Sequence, residues 1–280
     1  MPIVLPATNH ATARHDASTV AAVAVIVYSL SSLLHEAVGH GGACLAMDGV
    51  ARELSSMHFE CSLPDGATMP ERVVAAAGTI ATLFGGALAY LLYRRAPEGN
   101  VWRYSLWLFA AVNLMQGTGY FLFSGVGNMG DWSAVIDGWR PAWMWRVGLS
   151  VVGFGSYRFV TVHLFRALHP FLGEARPRRY LHAQRLAVLP YFVGGALETL
   201  AGSHNAGGWM LVLMSGAAAS FGGTSGLAWG PQSLRGPRTA SDLLEVPVRL
   251  VATNWLVIGL AFVSATVFVA VFGRGVTFSG

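Results

Sequence analysis

Long apolar segments alternate with short polar ones along the whole chain. Each apolar segment runs for about 20 residues, the length that an α-helix needs to cross the hydrocarbon core of a bilayer. The pattern predicts an all-α fold, a polytopic transmembrane helix bundle with about seven spans and a range of about six to eight. The predicted spans cover residues 18–47, 73–93, 102–123, 147–168, 186–202, 208–229 and 250–272.

Two polar interruptions differ from simple loops. Residues 48–70 are polar with a partial alternation of apolar side chains, which predicts a small hairpin or a re-entrant loop after span one. Glycines punctuate the break at residues 124–138, so the backbone can leave the helix there. We divide the chain into a disordered N-terminal tail (1–17), a core of spans one to four (18–168) and an accessory bundle of spans five to seven (169–280).

Composition supports membrane insertion and excludes a water-soluble globule. Of the 280 residues, 54% are hydrophobic and 11% are charged, and the mean hydropathy is +0.50, which leaves too few polar side chains to cover a soluble surface. All 18 basic residues are arginine. Because no polar domain gathers these arginines, we expect the lipid bilayer and not nucleic acid as the partner.

The distribution of arginine predicts the orientation of the chain. Loops 94–103, 166–185 and 230–249 hold eleven arginines, whereas the opposite loops and the C-terminus hold five. Positive charge concentrates on the cytoplasmic side of membrane proteins, so we expect a cytoplasmic N-terminus and an external C-terminus in the plasma membrane of a bacterium. Cys44 lies at the outer end of span one and Cys61 in the polar segment after it, where a single disulfide is an option on an oxidising side.

The strongest candidate for chemistry is a group of ionisable residues near the outer end of span one. His35, Glu36 and His40 lie in an apolar segment, where ionisable side chains usually serve function. The pattern is close to the zinc-peptidase motif His-Glu-x-x-His, in which two histidines bind the metal and the glutamate acts as general base. The histidines here are five residues apart, so a regular helix would separate them by about 140° around its axis.

The extra residue leaves two interpretations open. A single π-bulge near Gly39 would bring both histidines to one face, and π-bulges often occur at functional sites. On a regular helix Glu36 and His40 would instead be one turn apart and form a buried polar pair. The zinc interpretation therefore requires a bulge between Glu36 and His40.

A resemblance to one family covers roughly the first half of the chain. The segment His35–Val50, with its His-Glu-Ala-Val-Gly-His start and small residues, resembles the first active-site helix of the site-2 protease family of intramembrane zinc metallopeptidases. The run 76–82 resembles that family's Gly-Pro-x-x-Asn segment, with threonine where the family has proline and asparagine. The family's third element, Asn and then Asp-Gly, is echoed by Asn128-x-x-Asp131 and by Asp137-Gly138. The longer histidine spacing also resembles the zinc motif of dipeptidyl peptidase III.

The resemblance implies a Zn²⁺ ion bound by His35, His40 and an aspartate, with Glu36 as the catalytic base that activates the bound water. Asp131 and Asp137 are the candidates for the third ligand, and nearby glycines favour Asp131 because they let the backbone dip inward. We therefore expect a zinc metalloendopeptidase of site-2 protease type that hydrolyses a peptide bond of a membrane-protein or peptide substrate in or near the bilayer.

A noncatalytic function is the alternative. A transporter or channel-like bundle would use Glu36, His40, Asp131, Arg158 and Glu198 as an ion or proton relay. The two hypotheses differ in geometry, because only the zinc site requires the histidine nitrogens and one aspartate oxygen to converge on a single point.

Two amides on span three also have two interpretations. Asn113 and Gln116 lie on one side of the predicted helix. They could orient the metal ligands from behind, or they could form hydrogen bonds between helices, and we expect the second role.

Overall fold

The computed structural model of the chain is mostly helical. It describes residues 14–97, 99–173, 176–205, 219–234 and 248–279. Five helices of this described part are long and apolar enough to cross a membrane: Ala17–Ala46, Thr68–Arg95, Val101–Gly127, Ala142–Ala167 and Trp255–Phe272. These helices support the expected architecture of a helical membrane bundle.

The first of these helices has three segments. They are α1 (Ala17–Leu33), a π-helical segment (Leu34–Gly41) and α2 (Gly42–Ala46). Asp16 caps the N-terminus of α1, where its carboxylate accepts hydrogen bonds from Thr19 N and Thr19 Oγ1 at 2.7 Å.

The start of the described chain belongs to the folded protein. We expected a disordered tail through residue 17; residues 1–13 lie outside the described part, but His15 is completely buried. Its ring is hydrogen-bonded to the backbone of Phe171 and Val251. The expected boundary differs from the structure because these partners are distant in the sequence, so no local pattern indicates them.

A small sheet follows the first helix. β1 (Val50–Leu54) and β2 (Phe59–Ser62) form an antiparallel hairpin, and β3 (Val276–Thr277), near the end of the chain, pairs antiparallel with β1. A disulfide joins Cys44 in α2 to Cys61 in β2 and ties the hairpin to the end of the helix. The C-terminal strand and the hairpin therefore lie at the same end of the bundle.

The remaining helices pack around α1 and one another. The helix Val101–Gly127 (α4) packs against both Thr68–Arg95 (α3) and Ala142–Ala167 (α6). α1 lies against α4, Leu189–Gly202 (α8) and Trp255–Val267 (α10). Asn100 and Asn254 cap the N-termini of α4 and α10 by accepting hydrogen bonds from backbone N–H groups. The helices are α3 (Thr68–Arg95), α4 (Val101–Gly127), α5 (Asp131–Val135), α6 (Ala142–Ala167), α7 (Arg176–Ala183), α8 (Leu189–Gly202), α9 (Gly226–Trp229) and α10 (Trp255–Val267), with π-helical segments at Gln184–Val188 and Phe268–Phe272.

The outer surface of the bundle is apolar. Large side chains on three membrane helices are mostly exposed, among them Phe84 at 72%, Phe154 at 66% and Phe262 at 76%. The interior holds equally large side chains, such as Tyr28 and Trp107, that are completely buried. An apolar surface of this extent would not be stable in water, so it supports a lipid environment for these helices.

The described residues include only some of the seven predicted spans as long apolar helices. The five helices correspond to predicted spans one to four and seven. The predicted fifth span, 186–202, lies in the helical run from α7 to α8, which is not among the five. Most of the predicted sixth span, 208–229, lies outside the described part of the chain. The count of seven therefore stays a prediction.

Candidate metal centre

The π-helical segment places both histidines on one side of the first helix. In a π-helix each N–H group bonds to the carbonyl five residues earlier, so residues five apart lie nearly above each other. His35 Nε2 and His40 Nε2 are 3.1 Å apart, and the two rings meet edge to face with centroids 4.8 Å apart. The segment spans Leu34–Gly41 and includes Gly39. This confirms the bulge that the histidine spacing requires.

Helix α3 comes close to the histidines because it carries a glycine there. A Cβ atom on Gly39 would lie 2.5 Å from Gly78 Cα, so the two backbones are in contact. A Cβ atom on Gly78 would lie 2.5 Å from His40 Nε2 and 2.7 Å from His35 Nε2. Gly78 belongs to the run 76–82 that carries the family resemblance, but sequence analysis gave this residue no role. The one signal in the sequence is a glycine within an apolar helix, which often indicates that another helix packs closely against it.

Asp131 reaches the histidines from the connection after α4. The backbone of Asn128 at the end of α4 is left-handed (φ 52°), and Gly130 follows with a φ of 75°, a conformation that favours glycine. This turn starts α5 at Asp131 and brings Asp131 Oδ2 to 3.1 Å from His35 Nε2 and 3.6 Å from His40 Nε2. Asp137 lines a separate pocket. Of the two candidate aspartates, Asp131 is therefore the one beside the histidines.

Electron-rich atoms converge at this point. His40 Nδ1 donates a hydrogen bond to the Val74 carbonyl at 2.7 Å, so Nε2 of the neutral ring presents a lone pair to His35 and Asp131. Asp131 Oδ2 is buried, and among the described residues no group other than the two imidazoles is placed to donate a hydrogen bond to it. Such atoms repel one another at this distance unless a cation lies among them, so the arrangement requires a metal ion or a proton.

The separations are close to those between the ligands of one tetrahedral metal ion. Zinc bonds to imidazole nitrogen and carboxylate oxygen are about 2.0–2.2 Å long, which places two ligands of a tetrahedron about 3.3–3.6 Å apart. The two imidazole nitrogens and the Asp131 oxygen are separated by 3.1, 3.1 and 3.6 Å, so two of the distances are slightly shorter than this range. His35, Glu36 and His40 are buried, and their potential ligand atoms all lie within 4.8 Å of one another, so this cluster could hold a metal ion.

A cavity of about 730 Å³ opens onto the centre and is lined by Glu36, His40, Tyr120 and Asp131, among other residues. Glu36 lines this cavity and has no hydrogen-bond partner among the described residues. The Tyr120 ring stacks on the His35 imidazole with centroids 4.9 Å apart and holds its orientation. Tyr120 is not among the residues that the sequence indicates for this site, because one aromatic residue in an apolar span carries no distinguishing pattern.

The other candidate residues are hydrogen-bonded to groups outside the centre or are exposed. Asn113 Nδ2 donates a hydrogen bond to Ser31 Oγ at 2.8 Å, which is the expected bond between helices. Glu198 is buried and accepts a hydrogen bond from Ser32 Oγ at 2.8 Å. Arg158 is exposed on α6 and does not line the cavity. The residues of the suggested relay are therefore only partly brought together.

No protein-family model, curated protein or solved structure matches the chain. Function is therefore inferred from the geometry of the centre itself. That geometry joins two histidines and a glutamate from the first helix and an aspartate from α5 beside one cavity.

Proposed function

We propose that this chain is a membrane-embedded, zinc-dependent metallopeptidase that hydrolyses a peptide bond in or near the bilayer. The observation that carries the proposal is the convergence of His35 Nε2, His40 Nε2 and Asp131 Oδ2 within 3.1–3.6 Å of one another. Two imidazoles and one carboxylate form a donor set typical of catalytic zinc sites, in which the fourth position stays open.

The residues of the centre have separate roles in this proposal. His35, His40 and Asp131 hold the ion, and the hydrogen bond from His40 to the Val74 carbonyl keeps Nε2 free for it. Zinc in such a site lowers the pKa of water towards about 7 and polarises a carbonyl group. Glu36 accepts the proton of the attacking water and passes it to the amine nitrogen that leaves. Its position on the cavity wall supports this role.

The lining of the cavity suits an apolar peptide segment. Beside the ionisable residues it presents large apolar side chains from the hairpin region and from the end of α4: Met57, Phe59, Leu63, Phe123 and Met129. Such side chains bind the apolar residues of a membrane-protein substrate, while the polar centre receives the peptide bond. This lining supports a peptide or membrane-protein substrate.

The position of the disulfide supports the expected orientation. Cys44–Cys61 lies at the end of the bundle that carries the centre and the C-terminal strand, and disulfides persist in oxidising compartments. Together with the arginine distribution, this favours a cytoplasmic N-terminus and an external C-terminus. After treatment of intact cells with a reductant and a maleimide reagent that do not cross membranes, we expect labelling of Cys44 and Cys61. Ser233→Cys, in a cysteine-free background, should react only after permeabilisation.

Metal analysis of the purified protein tests the function. We expect about one zinc ion per chain in the wild type, because three ligands and an open position make a complete catalytic site. His40→Ala should lose the ion, whereas Glu36→Gln should keep it and lose cleavage of apolar membrane-spanning peptides, measured by mass spectrometry. His163→Ala is the matched control, because His163 bonds to Tyr90 away from the centre.

Two results would contradict this function. A wild-type protein without zinc under metal-replete conditions would exclude the metal centre. Zinc held equally by the wild type and Glu36→Gln, with no cleavage by either, would indicate a structural metal site and not a peptidase. Proton transport that depends on Glu36 and Glu198 in such a protein would favour the relay.

A further inference from the structure

A second, polar pocket lies beside the cavity at the same end of the bundle. Its volume is about 470 Å³, and its walls come from the start of α3, the connection between α4 and α6, and the start of α6. Glu71 lines both this pocket and the cavity, and α5 contributes Asp131 to the cavity and Ser133 to the pocket. Three arginines line it, Arg72, Arg140 and Arg146, and we call it the arginine pocket.

Backbone contacts fix two of these guanidinium groups in place. Arg72 Nη2 donates to the Asp137 carbonyl at 2.6 Å, and its guanidinium carbon lies 5.6 Å from the centre of the Trp139 ring. Arg146 donates from Nε and Nη2 to two carbonyls at the end of α4, at 3.1 and 2.8 Å. A guanidinium has five N–H donors, so both arginines keep donors for a further acceptor.

No carboxylate in the described residues lies within 4.0 Å of the basic nitrogens of these three arginines. Glu71 and Asp137 also line the pocket, and both are exposed, so water screens their charge. The lining therefore has three positive and two negative side chains. Two half-buried guanidinium groups without a carboxylate partner attract an oxyanion, which they can bind through paired N–H groups.

The pocket lies where lipid headgroups would be. α3 and α6 both begin at it, and both are long and apolar enough to cross a membrane. Trp143 and Trp145, in the first turn of α6, are 67% and 39% exposed. Exposed tryptophans at the ends of membrane helices lie at the level of the headgroups. Basic pockets between such helices bind the phosphate of lipids.

We propose that the arginine pocket binds a phosphate oxyanion that is presented by a phospholipid headgroup of this leaflet. Arg72 and Arg146 contact the phosphate from the protein side of the pocket, and Arg140 contacts it from the exposed side. The site is independent of the metal centre, because it uses none of the residues that we assign to the zinc ion.

Lipid binding to the purified protein tests the proposal. We would titrate phosphatidylglycerol and diacylglycerol with the same acyl chains, and count bound lipid by native mass spectrometry. We expect phosphatidylglycerol to bind and diacylglycerol, which has no phosphate, to be washed away. Arg140→Gln and Arg72→Gln should each weaken phosphatidylglycerol binding about tenfold, the effect of removing one charged contact. Arg52→Gln is the matched control, because Arg52 is exposed on the hairpin and does not line the pocket.

The competing outcomes are distinct. Equal binding of diacylglycerol, or unchanged phosphatidylglycerol binding in both pocket variants, would overturn the proposal. Displacement of phosphatidylglycerol by low millimolar inorganic phosphate would assign the pocket to a free anion and overturn the lipid source. The Arg140 side chain is exposed and makes no hydrogen bond or ion pair with the described residues, so Arg140→Gln still tests the proposal if Arg72→Gln is unstable. Zinc content is expected to stay unchanged in Arg140→Gln.

Discussion

At the scale of single residues, Gly78 determines how closely α3 approaches the metal centre. A methyl group there would lie 2.5 Å from His40 Nε2, so one of the histidines would have to move. We expect Gly78→Ala to weaken zinc binding at least tenfold, the order of effect seen when ligand geometry is disturbed. Competition with a chelator would measure it. Gly42→Ala is the matched control, because a Cβ atom on this glycine meets no other atom within 4 Å. Wild-type zinc affinity in Gly78→Ala would show that the histidines do not need this space.

The two aspartates offer a second comparison at this scale. Asp131→Asn keeps the shape of the side chain but removes the charge beside His35 and His40, so we expect zinc binding to fall by roughly 10–100-fold. Asp137→Asn should bind zinc like the wild type, because Asp137 lines the arginine pocket instead. Equal losses in both variants, measured with the same chelator competition, would mean that the charge of the whole region matters and not one ligand.

Sequence alone could predict residues that are adjacent in the chain. His35, Glu36 and His40 stand out because charged groups are rare in an apolar span. The choice between Asp131 and Asp137 could not be predicted with the same certainty, because it depends on the left-handed turn at Asn128 and Gly130. Tyr120 acts through a ring contact with His35, for which a sequence contains no signal.

At the scale of elements, the disulfide connects the first helix with the hairpin beside the cavity. It closes a segment with a sequence separation of 17 between Cys44 and Cys61. Cross-links over loops of this length stabilise a folded protein by about 3 kcal/mol, mainly by restricting the unfolded chain. We expect Cys44→Ala/Cys61→Ala to lose about this free energy of unfolding in detergent. A reductant should lower the melting temperature of the wild type and leave that of the double variant unchanged; an effect on both would contradict this assignment.

Local rules predicted some elements and not others. The π-helical segment could be predicted because the chemistry of two histidines demands a common face, and one extra residue then requires a bulge. β3 could not be predicted, because a strand of two residues has no periodicity and forms only by pairing with β1. The C-terminal residues thus contribute to the sheet beside the cavity through a contact that only the folded chain reveals.

At the scale of the whole molecule, apolar length predicted the membrane bundle, since spans one to four and seven correspond to apolar helices. The contacts that close the bundle at its N-terminal end have no such signature. His15 Nε2 donates to the Phe171 carbonyl at 2.9 Å, and Val251 N–H donates to His15 Nδ1 at 3.0 Å. Arg185 donates to the His15 carbonyl at 2.8 Å. The His15 imidazole thereby contacts two distant parts of the chain and its backbone carbonyl contacts a third, and the imidazole must be neutral to accept the bond from Val251.

Because of this imidazole, we expect the free energy of unfolding of the protein to depend on pH. Burial, and then the nearby charges of His182 and Arg185, lower the pKa of His15 from 6.5 to about 4, against the opposing effect of the bond to Phe171. Because the pKa is lower in the folded than in the unfolded protein, the stabilisation is complete above pH 6.5 and is lost as the pH falls towards 4. The loss amounts to about 3 kcal/mol from this group, and His182, whose pKa is also lowered by burial, adds to it.

His15→Asn separates this contribution from other acid effects. Asparagine can donate one hydrogen bond and accept another without taking up a proton, so we expect its melting temperature to fall less than that of the wild type between pH 6.5 and 4. His204→Asn should follow the wild type, because His204 is exposed. If the melting temperatures of His15→Asn and the wild type fall in parallel with pH, His15 does not bind a proton on unfolding. The acid sensitivity would then come from groups elsewhere, such as the carboxylates at the opposite end of the bundle.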